Sequence, residues 1–172
     1  MGPLTNEIVL RDGRVLTVAK AKAEDIREIL ELQEIATDRR TFYPITEGEL
    51  LESIEHDLAV VLRDGNTLAG FMMTVAPRVC ERNLAKMAGR SDNRTAYFDG
   101  VIVAPDYRGQ GIQSALLEIA EDYASSLNAT ALLATVSQTN VYSRRNFSAR
   151  GYKELCEIGI YDGSRLLLMK EL

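Results

Sequence analysis

Histidine and cysteine are scarce in this sequence of 172 residues, which has one histidine and two cysteines. The single histidine, His56, excludes most zinc sites, and any histidine-based nucleophilic triad would have to be built around it. Cys80 and Cys156 lie far apart and form no C-x-x-C pair, so the sequence has neither a disulfide framework nor a cysteine metal motif. We therefore expect reduced thiols, no bound metal and a cytoplasmic protein.

Long apolar runs are also lacking. No segment approaches the length needed to span a bilayer, and the first residues contain no apolar core typical of a signal peptide. The formal net charge of −5 disfavours nucleic acid and anionic membranes as partners, because those surfaces attract basic domains. The chain length suits one domain, which we expect to span residues 1–172.

Turn signals and apolar periodicity predict the order of the elements. Strand-like runs flank Asp12-Gly13, residues 64–66 and Asp162-Gly163, which indicates three hairpins. Helical spacing is found in four segments, residues 23–36, 46–54, 111–126 and 140–150. Strand-like spacing is found in two further segments, residues 95–104 and 130–136. Residues 76–94 read as a polar connection with little apolar periodicity.

The resulting order is β, β, α, α, β, β, β, α, β, α, β, β. Antiparallel hairpins at both ends flank a central strand–helix–strand–helix unit. This mixture predicts an α+β fold with a mixed central sheet flanked by helices, in which the central crossover joins two parallel strands in the right-handed sense.

A glycine-containing loop, Arg108-Gly109-Gln110-Gly111, lies between a predicted strand and the start of a predicted helix. Free N–H groups at a helix start, together with the helix dipole, favour phosphate oxygens. Glycines let the backbone approach those oxygens, and Arg108 adds a charged contact. Neither the dinucleotide fingerprint nor the P-loop pattern fits. By itself, this loop indicates either an anion site or a simple strand-to-helix turn.

Two motifs in sequence give the loop a more specific meaning. The pattern V-x-P-x-Y-R-G-Q-G-I, which begins at Val103, resembles motif A of the GNAT superfamily of N-acetyltransferases. The pattern N-x-x-S-x-x-x-F-x-x-x-G-Y, which begins at Asn140, resembles motif B of the same superfamily. The resemblance spans residues 97–152. It implies the GNAT acyl-CoA N-acyltransferase fold, with acetyl-CoA as co-substrate bound between two splayed parallel strands.

The resemblance also implies which residues contact the cofactor. The strand before motif A would offer main-chain groups to the pantetheine arm, and the glycine loop with the following helix start would bind the pyrophosphate. Motif B would contact the arm or the nucleotide from the other side. The expected cofactor-binding residues are Val101, Ile102, Val103, Arg108, Gly109, Gln110, Gly111, Ile112, Gln113, Ser114, Asn140, Asn146 and Phe147.

Two positions depart from the motifs. Gln113 stands where the superfamily has Gly or Ala, so its side chain either crowds the pyrophosphate or points away and leaves the main-chain donor intact. Phe147 stands where motif B has a tyrosine, and it has no proton for the departing thiolate. Tyr142 points about 140° away from Phe147 on the same helix, which is typical of a packing or surface residue. We expect Tyr152 in the core and protonation of the thiolate by solvent.

Asp99 is the candidate catalytic base. The resemblance implies direct attack of an amine on the thioester in a ternary complex, and an alkyl amine must first lose a proton. Many relatives have Glu or Asp four residues before Val103. Strand alternation places Asp99 on the same face as Tyr97 and Val101, unless a bulge at Gly100 shifts the phase. Asp99 either accepts the proton, through a water molecule, or only binds the ammonium group or caps a neighbour.

Signals for the acceptor are weaker. Phe42, Tyr43 and Pro44 either line the acceptor pocket or pack in the core. His56 is either a proton acceptor near the cleft or a surface residue. Basic residues at every fourth position between two strands form either a helical basic ridge that attracts an anionic substrate or a solvated loop. These residues are Arg78, Arg82, Lys86, Arg90 and Arg94.

These observations predict an acetyl-CoA-dependent N-acetyltransferase acting on a primary amine of a small molecule or a peptide. A main-chain N–H group near residues 101–103 would stabilise the oxyanion. Three alternatives stay open: an enzyme that uses another acyl-CoA, a non-catalytic acyl-CoA-binding module, and an interaction domain that binds no CoA. A homodimer is also possible, because terminal hairpins often pair in such folds.

Overall fold

Eight strands form one sheet in the computed structural model of the chain, which describes residues 7–38, 40–78, 83–161 and 163–172. The strands are β1 (Glu7–Val9), β2 (Val15–Lys20), β3 (Leu58–Asp64), β4 (Thr67–Val75), β5 (Thr95–Val103), β6 (Ala131–Ser137), β7 (Lys153–Ile160) and β8 (Gly163–Glu171). Their order across the sheet is β1-β2-β3-β4-β5-β6-β8-β7. β5 and β6 are parallel, and the other neighbouring strands are antiparallel. The predicted α+β fold with a mixed sheet is confirmed.

Helices cover both faces of the sheet. They are α1 (Ile26–Ala36), α2 (Glu47–His56), α3 (Leu84–Met87), α4 (Ile112–Ser126) and α5 (Val141–Ala149). A capping box begins α2: Glu49 N–H donates to Thr46 Oγ1 at 3.2 Å, and Thr46 N–H donates to Glu49 Oε2 at 2.8 Å. In the described part of the chain, no helix is both long and apolar enough to cross a bilayer.

The connection between β4 and β5 differs from its prediction. It contains α3, whose Leu84 and Ala85 are buried against the sheet, and one turn of helix is too short to show a period. A basic ridge on one helix is wrong for the described part of this segment, because α3 has only four residues. Arg78 instead pairs with Asp57, Arg90 pairs with Glu171, and Arg82 lies outside the described residues. Cys80 and Asp162 also lie outside them.

A β-bulge at Asp99 sets which side chains of β5 share a face. Phe98 pairs with Thr74 of β4, but the next pair is Gly100 with Met73, so Asp99 is the extra residue. Phe98 meets Phe147 of α5 on one face, whereas Tyr97 packs with α3 on the other. We call these the front face, which α4 and α5 cover, and the back face, which α1, α2 and α3 cover.

The bulge corrects strict alternation along β5. The register keeps Asp99 on the back face with Tyr97 but places Val101 and Val103 on the front face. A bulge therefore does shift the alternation of side chains along β5, as the sequence analysis allowed for Gly100. Its result is that Asp99 lies on the side of the strand opposite to the side chains of Val101 and Val103, whereas Ile102 faces the same side as Asp99.

The sheet opens between its two parallel strands. β5 and β6 pair over Thr95–Phe98 and Ala131–Ala134, and beyond those residues the described chain has no further pairing between the two strands. β5 stays paired with β4 as far as Val103, and β6 stays paired with β8 as far as Ser137. A gap therefore separates residues 99–103 from residues 135–137.

Candidate active site

The gap between β5 and β6 belongs to a cleft of about 740 Å³. The cleft reaches from the start of α4 on the front face to the loop between α1 and α2 on the back face. All the expected cofactor-binding residues except Gln110 line it, and so does Asp99. The fold therefore brings the two motifs and the candidate base to one cavity that passes through the sheet.

The front end of the cleft is a set of main-chain donors. Gly109 and Gly111 have φ angles of +74° and +89°, a region that favours glycine, and Gly111 is the N-cap of α4. After residue 108, the first main-chain N–H group with a main-chain acceptor is that of Ala115, which donates to Gly111 C=O at 3.2 Å. Within the part of the chain that the structure describes, the N–H groups of residues 109–114 have no protein acceptor. Six consecutive open donors at a helix start form a site for phosphate oxygens.

The β1–β2 hairpin holds this loop from outside. Arg11 Nη1 donates to Gly109 C=O at 3.2 Å, and Asp12 N–H donates to Gln110 Oε1 at 3.2 Å. The Gln110 side chain thus faces the hairpin and does not line the cleft, whereas its main-chain N–H is among the open donors. Arg11 lines the cleft, and the sequence analysis missed it because it stands beside a turn with no motif.

Arg108 lines the cleft and makes its hydrogen bonds to main-chain carbonyls. Its Nε donates to Val103 C=O at 3.4 Å, and its Nη2 donates to Ala36 C=O at the end of α1. The guanidinium is exposed and carries its charge beside the open donors. It therefore joins β5, the loop and α1 at the mouth of the cleft.

The contacts of the Gln113 side chain decide whether it crowds the pyrophosphate site or points away from it. Its Nε2 donates to Ser143 Oγ at 2.7 Å, and its Oε1 accepts from Asn146 Nδ2 at 2.7 Å. The side-chain amide is thus engaged by α5, and the Gln113 main-chain N–H stays open. These bonds tie the start of α4 to α5. Asn140 caps α5 by accepting the Ser143 N–H at 3.1 Å, so its Oδ1 is used in the fold.

Phe147 lies in an aromatic cluster and is only 3% exposed. Its ring packs edge-to-face against Phe98 at 5.9 Å and Tyr152 at 5.0 Å between ring centroids. Tyr152 is buried as expected, and burial raises the pKa of its hydroxyl. Tyr142, at 81% exposed, is a surface residue at the edge of the cleft. Phe147, Tyr142 and Tyr152 therefore provide no acidic proton at the position where the superfamily has its tyrosine.

The back end of the cleft has aromatic and charged walls. The ring of Tyr43 stacks on that of Tyr161 with centroids 4.3 Å apart, and both residues line the cleft. The guanidinium of Arg165 lies 5.1 Å from the centre of the Tyr161 ring. Phe42 and Pro44 also line the cleft, so of the two readings of this segment the structure favours the pocket.

Gln33 fastens this wall to α1. Its buried side chain accepts the Ile45 N–H at 2.8 Å and donates to Ile45 C=O at 3.3 Å. The Ile45 side chain reaches the bulge, where its Cδ1 lies 2.9 Å from the position that a Cβ on Gly100 would take. The glycine therefore makes room for the loop between α1 and α2 to close over the back of β5.

One residue named by the sequence lies outside the cleft, and two residues that carry no sequence signal lie in it. His56 is a surface residue, with a side chain 66% exposed beside Glu55, and it is outside the cleft lining. Tyr161 and Arg165 were missed because they flank a hairpin turn and belong to no motif. Their place in the cleft follows from β8 lying next to β6, which the chain order does not reveal.

The comparisons with known proteins agree with this geometry. The family model described as the Acetyltransferase (GNAT) family matches residues 23–152. The structure is similar to the GNAT domain of S. lividans PAT, with TM-score 0.73, 19% identity and 96% of each chain covered. It is also similar to the ribosomal-protein-S18-alanine N-acetyltransferase from Escherichia coli, with TM-score 0.68, 19% identity, and 91% of this chain and 93% of that chain covered.

A third similar structure is that of yncA from Salmonella typhimurium, which was solved with its cofactor acetyl-CoA. Its TM-score is 0.70 at 15% identity, with 91% of this chain and 93% of that chain covered. No curated protein sequence matches the chain.

Proposed function

The chain belongs to the acetyltransferase (GNAT) family and is an acetyl-CoA-dependent acyltransferase, and from this premise we propose that it acetylates a primary amine of a small molecule or a peptide by direct attack. The observation that carries this proposal is the gap in the sheet. It joins the open phosphate-binding donors of the front face to a carboxylate, Asp99, on the back face.

The residues of the front face fit the cofactor. The N–H groups of residues 109–114 would hold the pyrophosphate, with Arg108 adding charge. The edge of β5 at Val101–Val103 has lost its β6 partner, so its outward main-chain groups are available to the amides of the pantetheine arm. Asn140, Asn146 and Phe147 would line the arm from α5.

The back face would receive the amine. Asp99 is half-buried at the bulge and lines the cleft where the gap opens, which supports the proposal that its carboxylate accepts the ammonium proton. Because the side chain is short, the proton would pass through a water molecule. An N–H group of β5 that faces the gap would donate to the developing oxyanion. Because Phe147 has no acidic proton, the leaving thiolate would take its proton from solvent in the open cleft.

The test is the release of free CoA from acetyl-CoA in the presence of a panel of primary amines. We expect at least one amine to accelerate release above hydrolysis. Arg108→Glu should abolish the thermal stabilisation that CoA gives the native protein, because it replaces a cation at the phosphate site by an anion. Arg27→Glu, which changes a 90% exposed arginine outside this cleft, is the matched control and should keep the stabilisation.

Asp99→Asn separates catalysis from cofactor binding. The amide cannot accept the proton, so we expect kcat to fall about 100-fold while the stabilisation by CoA stays unchanged. Asp106→Asn, an exposed change outside the cleft lining, should leave both unchanged. An Asp99→Asn enzyme with wild-type kcat would contradict the base role.

The lack of an acid at Phe147 favours one other function, a non-catalytic acyl-CoA-binding module. It predicts full stabilisation by CoA, loss of that stabilisation in Arg108→Glu, and no amine-dependent release of CoA from any member of the panel. An interaction domain that binds no CoA predicts no stabilisation at all.

A further inference from the structure

Arg165 is a half-buried cation that lines the cleft, and among the described residues no carboxylate pairs with it. Within the described ranges its hydrogen bond is the one from Nη2 to Thr41 C=O at 3.3 Å, and its other contact is the Tyr161 ring. The half-buried Arg63, Arg78 and Arg150 each pair with two carboxylates. Among the half-buried arginines of the described residues, Arg165 is the exception, because a carbonyl and a ring hold it and no carboxylate does.

Burial lowers the pKa of Arg165, because removing the guanidinium from water disfavours its charged form. An arginine nonetheless stays protonated at any physiological pH. An anion that entered the cleft would compensate for the lost hydration. A carboxylate suits this position best, because its two oxygens match the fork of guanidinium N–H groups.

Arg165 faces the same side of the sheet as Asp99. The pairs Phe98–Ala134 and Ser137–Arg165 link β5, β6 and β8, and alternation along these strands places Arg165 on the back face. Asp99 and Arg165 are two strand spacings apart across the sheet and two residues apart along it. Their Cα atoms are therefore separated by at least about 12 Å, and the gap between β5 and β6 adds to this distance. The stacked rings of Tyr43 and Tyr161 stand beside the arginine. The back end of the cleft thus has a negative and a positive group with room for a small molecule between them.

We propose that the acceptor is a small amine that carries a carboxylate, an amino acid in the broad sense, with Arg165 binding the carboxylate while the amine lies toward Asp99. This rests on the proposed N-acetyltransferase function and names its substrate class. The ammonium group gives one proton to the Asp99 carboxylate through water, and the resulting amine nitrogen forms a bond to the acetyl carbon. The C–S bond breaks with its electron pair leaving on sulfur, the nitrogen loses its second proton to solvent, and the thiolate takes a proton from solvent. Arg165 is a specificity residue that touches the substrate away from the reacting atoms.

The test compares kcat/KM for matched pairs of acceptors. The pairs are L-α-amino acids with their carboxamides, and a series of ω-amino acids of increasing length with the corresponding alkylamines. For at least one pair we expect the wild-type protein to prefer the carboxylate at least tenfold, because the uncharged analogue leaves the guanidinium without its anion. Arg165→Gln should remove that preference, mainly through KM, and leave the KM for acetyl-CoA unchanged.

Arg165→Lys, which keeps the charge without the planar fork, should keep part of the preference. Arg27→Gln, an exposed change outside this cleft, should keep all of it.

The outcomes separate this proposal from the one it rests on. If amines are acetylated but the wild-type protein shows no preference for the carboxylate in any pair, the substrate class is wrong and the N-acetyltransferase function stands. The same conclusion follows if Arg165→Gln keeps the preference. If no amine in either series accelerates CoA release, the proposed function fails, and the substrate class fails with it. The wild-type comparison decides even where a variant does not fold.

Discussion

Gly111 shows how one residue controls the anion site, because its left-handed φ of +89° aims the donors of the loop and the first turn of α4. An added Cβ would meet nothing closer than Arg11 Nε at 3.9 Å, so space does not require glycine here, whereas the backbone conformation does. Gly111→Ala should destabilise the fold by about 1 kcal/mol in urea unfolding. It should also reduce the stabilisation by CoA.

Gly48→Ala is the matched control for that change. Gly48 lies inside α2 with open space at its Cβ position and no positive φ, so alanine should stabilise the fold by about 0.5–1 kcal/mol through helix propensity. Equal effects of the two alanines would show that the φ of Gly111 carries no strain.

At the scale of elements, Gln33 connects α1 to the loop that forms the back wall of the cleft. Gln33→Met removes both bonds to Ile45 and leaves a buried N–H and C=O unpaired, which should cost about 2 kcal/mol of unfolding free energy. Because the loop carries Tyr43, the KM for the acceptor should rise more than the KM for acetyl-CoA. Steady-state kinetics with each substrate varied measures both.

Gln33→Glu keeps an oxygen that can accept the Ile45 N–H, but it buries a charge and sets its second oxygen against the Ile45 C=O, so it should destabilise the fold at least as much as Gln33→Met. A Gln33→Met protein with unchanged acceptor KM would contradict the role of the Gln33–Ile45 hydrogen bonds in holding the back wall of the cleft.

Elements with local signals could be predicted from the sequence, and those defined by tertiary contacts could not. The capping box at Thr46 and the glycine loop carry their own signals, so α2 and the start of α4 were found. Gly100 marked the place where a bulge could shift the phase of β5, but whether the shift occurs is set by the register with β4, for which the local sequence gives no signal. Arg165 entered the cleft only through the insertion of β8 between β6 and β7.

At the scale of the molecule, Glu121 links three elements behind the cleft. It lies in α4, accepts from Arg150 Nη2 after α5 at 2.6 Å, and accepts from Lys170 Nζ of β8 at 2.7 Å. Burial opposes ionisation of its carboxyl, but the hydrogen bonds from Arg150 and Lys170 outweigh it and hold the pKa of Glu121 below its usual value. The folded state therefore favours the ionised form.

Glu121→Gln should destabilise the protein by about 2–3 kcal/mol at pH 7. The pKa of the Glu121 carboxyl is about 4.3 in the unfolded state and lower in the folded state. The stabilisation by the ionised carboxylate is therefore complete well above the unfolded pKa and is lost as pH falls through the folded pKa. Urea unfolding at pH 7 and pH 3 measures the unfolding free energy of both proteins. The difference between Glu121→Gln and the wild-type protein should be smaller at pH 3. Glu118→Gln, an exposed change on the same helix, should have little effect at either pH.

The opening between β5 and β6 also has a mechanical consequence. Four residue pairs join the half-sheet β1–β5 to the half-sheet formed by β6, β8 and β7, fewer than join β3 to β4, β4 to β5 or β6 to β8. A pantetheine arm lying in that seam would act as a missing strand and bridge the two halves. Cofactor loading would then join the two halves into one cooperative unit, with the wall on β8 that carries Arg165 held in register with β5 and Asp99 only while the cofactor is present.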